Sequence, residues 1–200
     1  EFNVSIGRDS LHQNTTASNN TAVGFQAGYS NVSSSGSTTV GYRAGKLSTT
    51  YVTAIGSNAL ELNTTGTENV AVGSNSPLGA NTTGANNTAM GSFAMRSNTN
   101  ANNNSAFGKN ALYANSTGAS NTAVGSSALQ NNTTASHNTA VGYRATYSNT
   151  TGASNTVMGG DAFYYNTTGA SNTALGASAL FSNTTADYNT AAGYQAGYSN

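Results

Sequence analysis

The sequence predicts an all-β fold, a parallel β-solenoid or β-roll of about twelve 17-residue rungs, on the strength of three observations. The 200-residue chain repeats one 17-residue unit along its whole length. Each unit contains a short alternating segment with β-branched residues, which is typical of a strand. Each unit also contains a glycine at a fixed place and a polar turn rich in Asn and Thr. We therefore expect residues 1–200 to form a single repeat array, as a fragment of a longer fibre.

A glycine, numbered here as position 0, marks each repeat. Successive glycines are 17 residues apart, apart from one spacing of 15 and one of 18. A glycine in every copy predicts a corner that needs positive φ or a close approach of two backbones. The irregular spacings are predicted to be absorbed in loops, because a slip of one residue would turn a strand over. The twelve glycines are Gly7, Gly24, Gly41, Gly56, Gly73, Gly91, Gly108, Gly125, Gly142, Gly159, Gly176 and Gly193.

The segment before each glycine, with the consensus N-T-A-V, is predicted to be a short strand. Position −1 is large and apolar in eleven of twelve copies, and we expect this column to point inward. Position −4 is Asn in ten copies, and stacked amides there predict a hydrogen-bond ladder between rungs, with a plain turn-forming role as the alternative. Position +3 is Ala in ten copies and Ser in two, which indicates room for a small side chain only.

Positions +1 and +4 vary together. Four copies have an aromatic residue at +1, and these copies have only Gly or Thr at +4. Seven of the other eight copies have a bulky residue at +4, such as Leu129. We interpret the ring and the aliphatic side chain as alternative fillings of one space, as a close-packed interior requires. The aromatic residues at +1 are Phe25, Tyr42, Tyr143 and Tyr194.

Composition argues against several classes of protein. Only 6% of residues are charged and the formal net charge is zero, so the chain lacks the basic stripe of a nucleic-acid-binding protein. No apolar run approaches the length of a membrane span, so the chain is not expected to be membrane-embedded. A single 17-residue coil encloses a thin core, and the sequence has no cysteine to cross-link it. Association with further copies, as a homotrimer or a filament, is the favoured solution.

No catalytic, cofactor-binding or metal-binding constellation is found, and the chain is predicted not to be an enzyme. His12 and His137 occupy different positions of the repeat and cannot stack. Asp9, Asp161 and Asp187 are scattered, whereas calcium-binding β-roll repeats need an Asp in every turn. The glycine spacing matches neither a P-loop nor a dinucleotide fingerprint.

Two sets of residues are candidates for carbohydrate chemistry. Sequons in the N-T-T turn would place glycan acceptors on one face, or the motif is simply the turn that this loop needs. Rings that share position +5 could stack on sugar faces, or pack in a groove between subunits. The candidate acceptors are Asn14, Asn31, Asn63, Asn81, Asn115, Asn132, Asn149, Asn166 and Asn183. The candidate stacking residues are Tyr29, Tyr113, Tyr147, Tyr164, Phe181 and Tyr198.

The run Thr122-Ala123-Val124-Gly125 with Ala128 resembles the S-V-A-I-G-x-x-A repeat of trimeric autotransporter adhesin heads of the YadA-like type. Arrays of N-T-A-V-G-x-x-A are also similar to segments of phage-type tail fibres. The resemblance extends over essentially the whole chain. It implies a left-handed parallel β-roll with three chains side by side, on a cell surface or a virion. The adhesin heads commonly use a shorter repeat, and the extra residues here fall in the N-T-T-G loop.

The predicted function is that of a structural or adhesive extracellular fibre segment, either an adhesin head or a tail-fibre shaft, that presents polar and Tyr-rich loops. Its expected partners are other copies of itself, and surface glycans or a receptor. One alternative is a glycan-coated structural filament. Another is an ice-binding β-solenoid, with Thr columns at −3, +8 and +9. Adjacent positions on a strand face opposite sides, which counts against the +8 and +9 columns acting together.

Overall fold

The computed structural model describes residues 2–199, and this part of the chain consists of β-strands and turns. Twelve short parallel strands form a single sheet in sequence order, with one strand in each turn. The chain is therefore a β-solenoid whose repeat is about 17 residues long. The strands are β1 (Val4–Ile6), β2 (Thr21–Val23), β3 (Thr38–Val40), β4 (Val52–Ile55), β5 (Asn69–Val72), β6 (Thr88–Met90), β7 (Ser105–Phe107), β8 (Thr122–Val124), β9 (Thr139–Val141), β10 (Thr156–Met158), β11 (Thr173–Leu175) and β12 (Thr190–Ala192).

The strands stay aligned across both irregular spacings, as the sequence predicts. Val40 pairs with Ile55 across the shortened turn, and Val72 pairs with Met90 across the lengthened one. The extra residue lies in the turn before Leu78, whose amide donates to the Ala94 carbonyl. Leu78, and not Pro77, therefore occupies the +4 place of its turn. With Leu78 counted there, every copy without an aromatic residue at +1 has a bulky side chain at +4.

The strand face that points inward is the opposite of the one predicted. Position −2, usually Ala, is buried in every strand except β1, and Ala123 is 0% exposed. Val124 at −1 is 36% exposed and Met158 is 49% exposed, so the large apolar column points outward. A three-residue T-A-V strand can present either face to the core. In most turns the interior of so small a coil has room only for Ala at this point.

The core is completed by residues outside the strands. Alanine at +3 is buried in most turns, and a large residue at +4 is buried in the eight turns that have one. One apolar cluster extends from Ala44 to Ala191. The small +3 residue was predicted correctly. Leu129 at +4 is 0% exposed and has a φ of +50°, in the left-handed region that costs a non-glycine residue about 1 kcal/mol or more. Burial of the leucine side chain, which contributes about 1.5–3 kcal/mol, offsets this cost.

The glycine corners are confirmed, and Gly108 shows the two reasons for them. Its φ of +135° is one that side chains rarely adopt. A Cβ at this position would also lie 2.6 Å from the carbonyl oxygen of Gly125 in the next turn. The stacked corners therefore exclude any side chain at position 0.

The predicted exchange between +1 and +4 is wrong in its mechanism. Tyr143 is 55% exposed, so its ring does not fill the interior beside Thr146. Near Gly45 the space is taken by Thr39, since a Cβ on Gly45 would lie 2.8 Å from its Cγ2 atom. Thr39 stands at −2, where most turns have Ala. Val157 is the other large buried residue at −2, and it follows Thr146 by 11 residues, just as Thr39 follows Gly28.

Candidate functional surfaces

The sequon asparagines form a buried hydrogen-bond ladder and not an exposed face. The Asn132 Nδ2 atom donates to the Asn115 Oδ1 atom at 2.9 Å and to the Ala135 carbonyl at 3.0 Å. These amides are therefore not accessible in this fold. Glycosylation itself stays a prediction, and it would require an amide to leave the core. Asn14 is half-buried, and the buried members are Asn31, Asn63, Asn81, Asn115, Asn132, Asn149, Asn166 and Asn183.

The ladder predicted at position −4 is confirmed. The Asn121 backbone amide donates to the Asn104 Oδ1 atom at 2.9 Å, and the Asn121 side chain donates to the Ala135 carbonyl at 2.9 Å. The Ala135 carbonyl thus accepts from both ladders, which brings them together at one edge of each turn. Ser37 continues the −4 ladder, since its hydroxyl accepts from the Val52 amide at 3.3 Å, and Val52 then interrupts it. The second ladder was missed because N-T-T was interpreted only as a turn or a sequon, although its Asn recurs as regularly as the Asn at −4.

The aromatic row at +5 is a ring stack along four successive turns. Tyr147 stacks on Tyr164 at a centroid distance of 5.1 Å, and Phe181 stacks on Tyr198 at 4.9 Å. Tyr164 and Phe181 complete the stack at 5.5 Å, and Tyr29 stacks on His12 at 5.0 Å. The facing surfaces of these rings therefore cover one another. A sugar can approach the inner members of the stack only at their edges.

Tyr113 lies outside this stack, beside an open cleft. Its ring meets Phe93 edge-on, with centroids 6.3 Å apart. The cleft has a volume of about 340 Å³ and is lined by Phe93, Arg96, Asn110, Tyr113 and Gln130. Two of its five lining residues are aromatic, two carry an amide and one carries a positive charge.

Charged and phenolic side chains join neighbouring turns. Arg144 binds Asp161 through two hydrogen bonds of 2.8 and 3.1 Å, and this contact raises the pKa of Arg144. The Tyr51 hydroxyl donates to Glu68 at 2.7 Å, and the carboxylate raises the pKa of Tyr51 above its ordinary value. Residues 2–199 contain no group of three or more His, Cys, Asp or Glu side chains that could hold a metal ion.

The outer face of the sheet carries two parallel columns of side chains. Position −3 is mostly Thr, and position −1 is the apolar column that points outward. We call this apolar column the outer stripe. Its half-buried members are Val23, Val40, Val72 and Val141, and its exposed large members are Ile6, Ile55, Met90, Phe107, Val124, Met158 and Leu175. Contiguous apolar patches of this kind on a soluble protein commonly mark an interaction surface.

The class of this protein is defined by its fold, because the comparisons with known proteins found no match. No family model matches the chain, and no curated protein or solved structure is significantly similar to it. The stacked parallel strands and the 17-residue repeat define a β-solenoid repeat protein. Within the described residues, no helix has the length and apolar character needed to cross a membrane.

Proposed function

We propose that the chain is a structural and adhesive segment of an extracellular fibre, in which several copies associate through the outer stripe. The observation that carries this proposal is the stripe itself. Large apolar side chains stand at the end of eleven of twelve strands, and Ile6 and Met158 are 59% and 49% exposed. Covering such a column removes apolar surface from water along the whole length of the sheet.

The rest of the surface is compatible with close association of copies. Only 6% of residues are charged, so parallel copies meet little electrostatic repulsion. A solenoid also repeats its surface with each turn, so a contact that suits one turn suits its neighbours. Three copies with their stripes turned toward a common axis would cover all three stripes. The left-handed trimer and the location on a cell surface or virion come from the resemblance to adhesin heads and tail fibres.

The experiment is sedimentation equilibrium of the 200-residue chain and two variants. The chain has a mass of 20.1 kDa, and we expect a multiple of this value, three times for the trimer. Val124→Glu places a charge in the stripe and should shift the mass toward the single chain. Ser126→Glu places the same charge at an exposed site two residues away and should leave the mass unchanged. A wild-type chain that stays monomeric at every concentration contradicts the proposal.

One observation favours a second candidate, an ice-binding surface. The Thr column at −3 shares the outer face with the stripe and offers regularly spaced hydroxyl and methyl groups. The Thr column at +8 is already engaged, since the Thr133 hydroxyl donates to the Thr150 carbonyl at 3.0 Å. Thermal hysteresis of the chain in solution tests this candidate. Hysteresis that persists under conditions where the chain is monomeric would favour it over the assembled fibre.

A further inference from the structure

We infer that the cleft between Phe93 and Tyr113 binds a single acidic sugar, a pyranose that carries a carboxylate. This inference names the class of ligand that the proposed adhesive fibre would bind, and its biological role rests on that proposed function. The binding itself needs only residues of one chain. Four features of the cleft support it: an unusual aromatic residue, a tyrosine ring outside the ring stack, an arginine without an ion pair and a pair of amides.

Phe93 departs from the repeat in a way that the core does not require. Position +2 is polar or charged in the other eleven copies. Phe93 has a φ of +61°, a left-handed conformation that is unfavourable for a bulky residue. Its ring is half-buried and forms a wall of the cleft, outside the buried apolar cluster. Phe93 therefore occupies a position whose left-handed backbone is unfavourable for it, and its ring forms a wall of the cleft.

Tyr113 differs from the other tyrosines at +5. Arg96 and Gln130 occupy position +5 in the turns before and after it, so this column gives Tyr113 no stacked ring. In the stack, by contrast, Tyr164 has Tyr147 on one side and Phe181 on the other. Tyr113 lines the cleft, and an aromatic ring in such a wall is a surface on which the C–H face of a pyranose packs.

Arg96 supplies a positive charge without a carboxylate partner. Arg43 and Arg144 are ion-paired at 3.4 and 2.8 Å, whereas Arg96 has no ion pair among residues 2–199. Its Nη1 atom lies 3.4 Å from the Tyr113 hydroxyl, and its guanidinium lies 5.4 Å from the Phe93 ring centre. The planar guanidinium is therefore held at the cleft wall, and its donors match the two oxygens of a carboxylate.

The two amides complete the set of polar groups. Asn110 and Gln130 line the cleft, and each amide group can donate to one sugar hydroxyl and accept from another. The volume of about 340 Å³ is at the small end of ligand sites in proteins, which suits one sugar ring. Aromatic walls, amides and a cation together favour an acidic sugar over a simple anion, which would not use the rings.

The test is a titration of the 200-residue chain, followed by NMR, with glucuronate, N-acetylneuraminate and glucose. We expect at least one acidic sugar to bind about tenfold more tightly than glucose, as one charge-assisted hydrogen-bond pair allows. Arg96→Gln should abolish this preference while leaving the weak binding of glucose. Tyr113→Leu should weaken both. Arg8→Gln, at another arginine that lies 5.9 Å from a ring centre, is the matched control and should change nothing.

Two results overturn the inference: neither acidic sugar is preferred to glucose, or Arg96→Gln behaves like Arg8→Gln. Circular dichroism of each variant verifies that the solenoid is intact. The oligomeric mass of the same samples separates this inference from the proposed fibre. A multimeric chain that does not bind acidic sugars more tightly than glucose overturns this inference and leaves the proposed assembly standing. A monomeric chain that binds them overturns the assembly alone.

Discussion

Single residues in this solenoid are constrained by backbone conformation as much as by packing. Each turn contains left-handed residues at fixed positions, such as Ser127 with φ of +59° and Leu129 with φ of +50°. Glycine at position 0 meets a stricter limit, because the backbone of the next turn lies where a side chain would be. The glycine column was predictable from the sequence. The left-handed leucine was not, since leucine is a poor indicator of that conformation.

Gly108→Ala should strongly destabilise the chain. The new Cβ would meet the Gly125 carbonyl oxygen at 2.6 Å, and φ of +135° is strained for alanine. We expect a loss of about 3 kcal/mol or more in the free energy of unfolding, measured by urea denaturation. Gly160→Ala is the control, because nothing lies within 4 Å of the Cβ that it adds. Equal denaturation midpoints for the two variants would contradict the close stacking of the corners.

Asn115→Ala should break the buried ladder of sequon asparagines. The Asn98 Oδ1 atom would lose a donor and the Asn132 Nδ2 atom would lose an acceptor. Each unsatisfied buried group costs about 1–3 kcal/mol, so we expect a total loss of about 2–4 kcal/mol by thermal or urea denaturation. Asn100→Ala, at an exposed asparagine, should change stability by less than about 0.5 kcal/mol. A similarly small effect at Asn115 would show that the ladder adds no stability.

At the scale of the strand and its turn, the sequence predicts where each strand lies but not which face it buries. A three-residue strand such as β8 has too few positions for its alternation to distinguish the faces. The turn determines which face of the strand is buried, because the large +4 residues fill the interior and leave room only for Ala at −2. The predicted exchange between positions +1 and +4 was wrong for a related reason, because it considered only residues of the same turn. The residue that compensates for a small +4 side chain stands at −2 of the following strand.

Thr39→Ala and Ala123→Thr test this compensation in opposite directions. Thr39 fills the space beside Gly28 and Gly45, so its truncation should leave a void and cost about 1 kcal/mol. Ala123→Thr puts the same threonine between turns that already have leucine at +4, and overpacking should cost about 1–3 kcal/mol. Both losses are read from denaturation midpoints. An unchanged denaturation midpoint for Ala123→Thr would mean that the −2 and +4 side chains do not compete for the same space.

At the scale of the whole molecule, the period alone predicts a solenoid, because only a stacked coil gives each 17-residue unit the same environment. The surfaces were less predictable. The outer stripe was assigned to the core, and the cleft beside Tyr113 arises from single departures at Phe93 and Arg96 that a consensus conceals. Under our proposal, further copies of the chain cover the outward apolar column and supplement the thin core.

The most direct test of the outer stripe as a covered surface is the reaction rate of a single introduced thiol. The described chain has no cysteine, so Val124→Cys and Ser126→Cys each create one reporter, in the stripe and beside it. We expect slow alkylation at position 124 and fast alkylation at position 126 in concentrated solution, with the rate at 124 rising as dilution separates the copies. Alkylation at position 124 as fast as at 126, at every concentration, would contradict it.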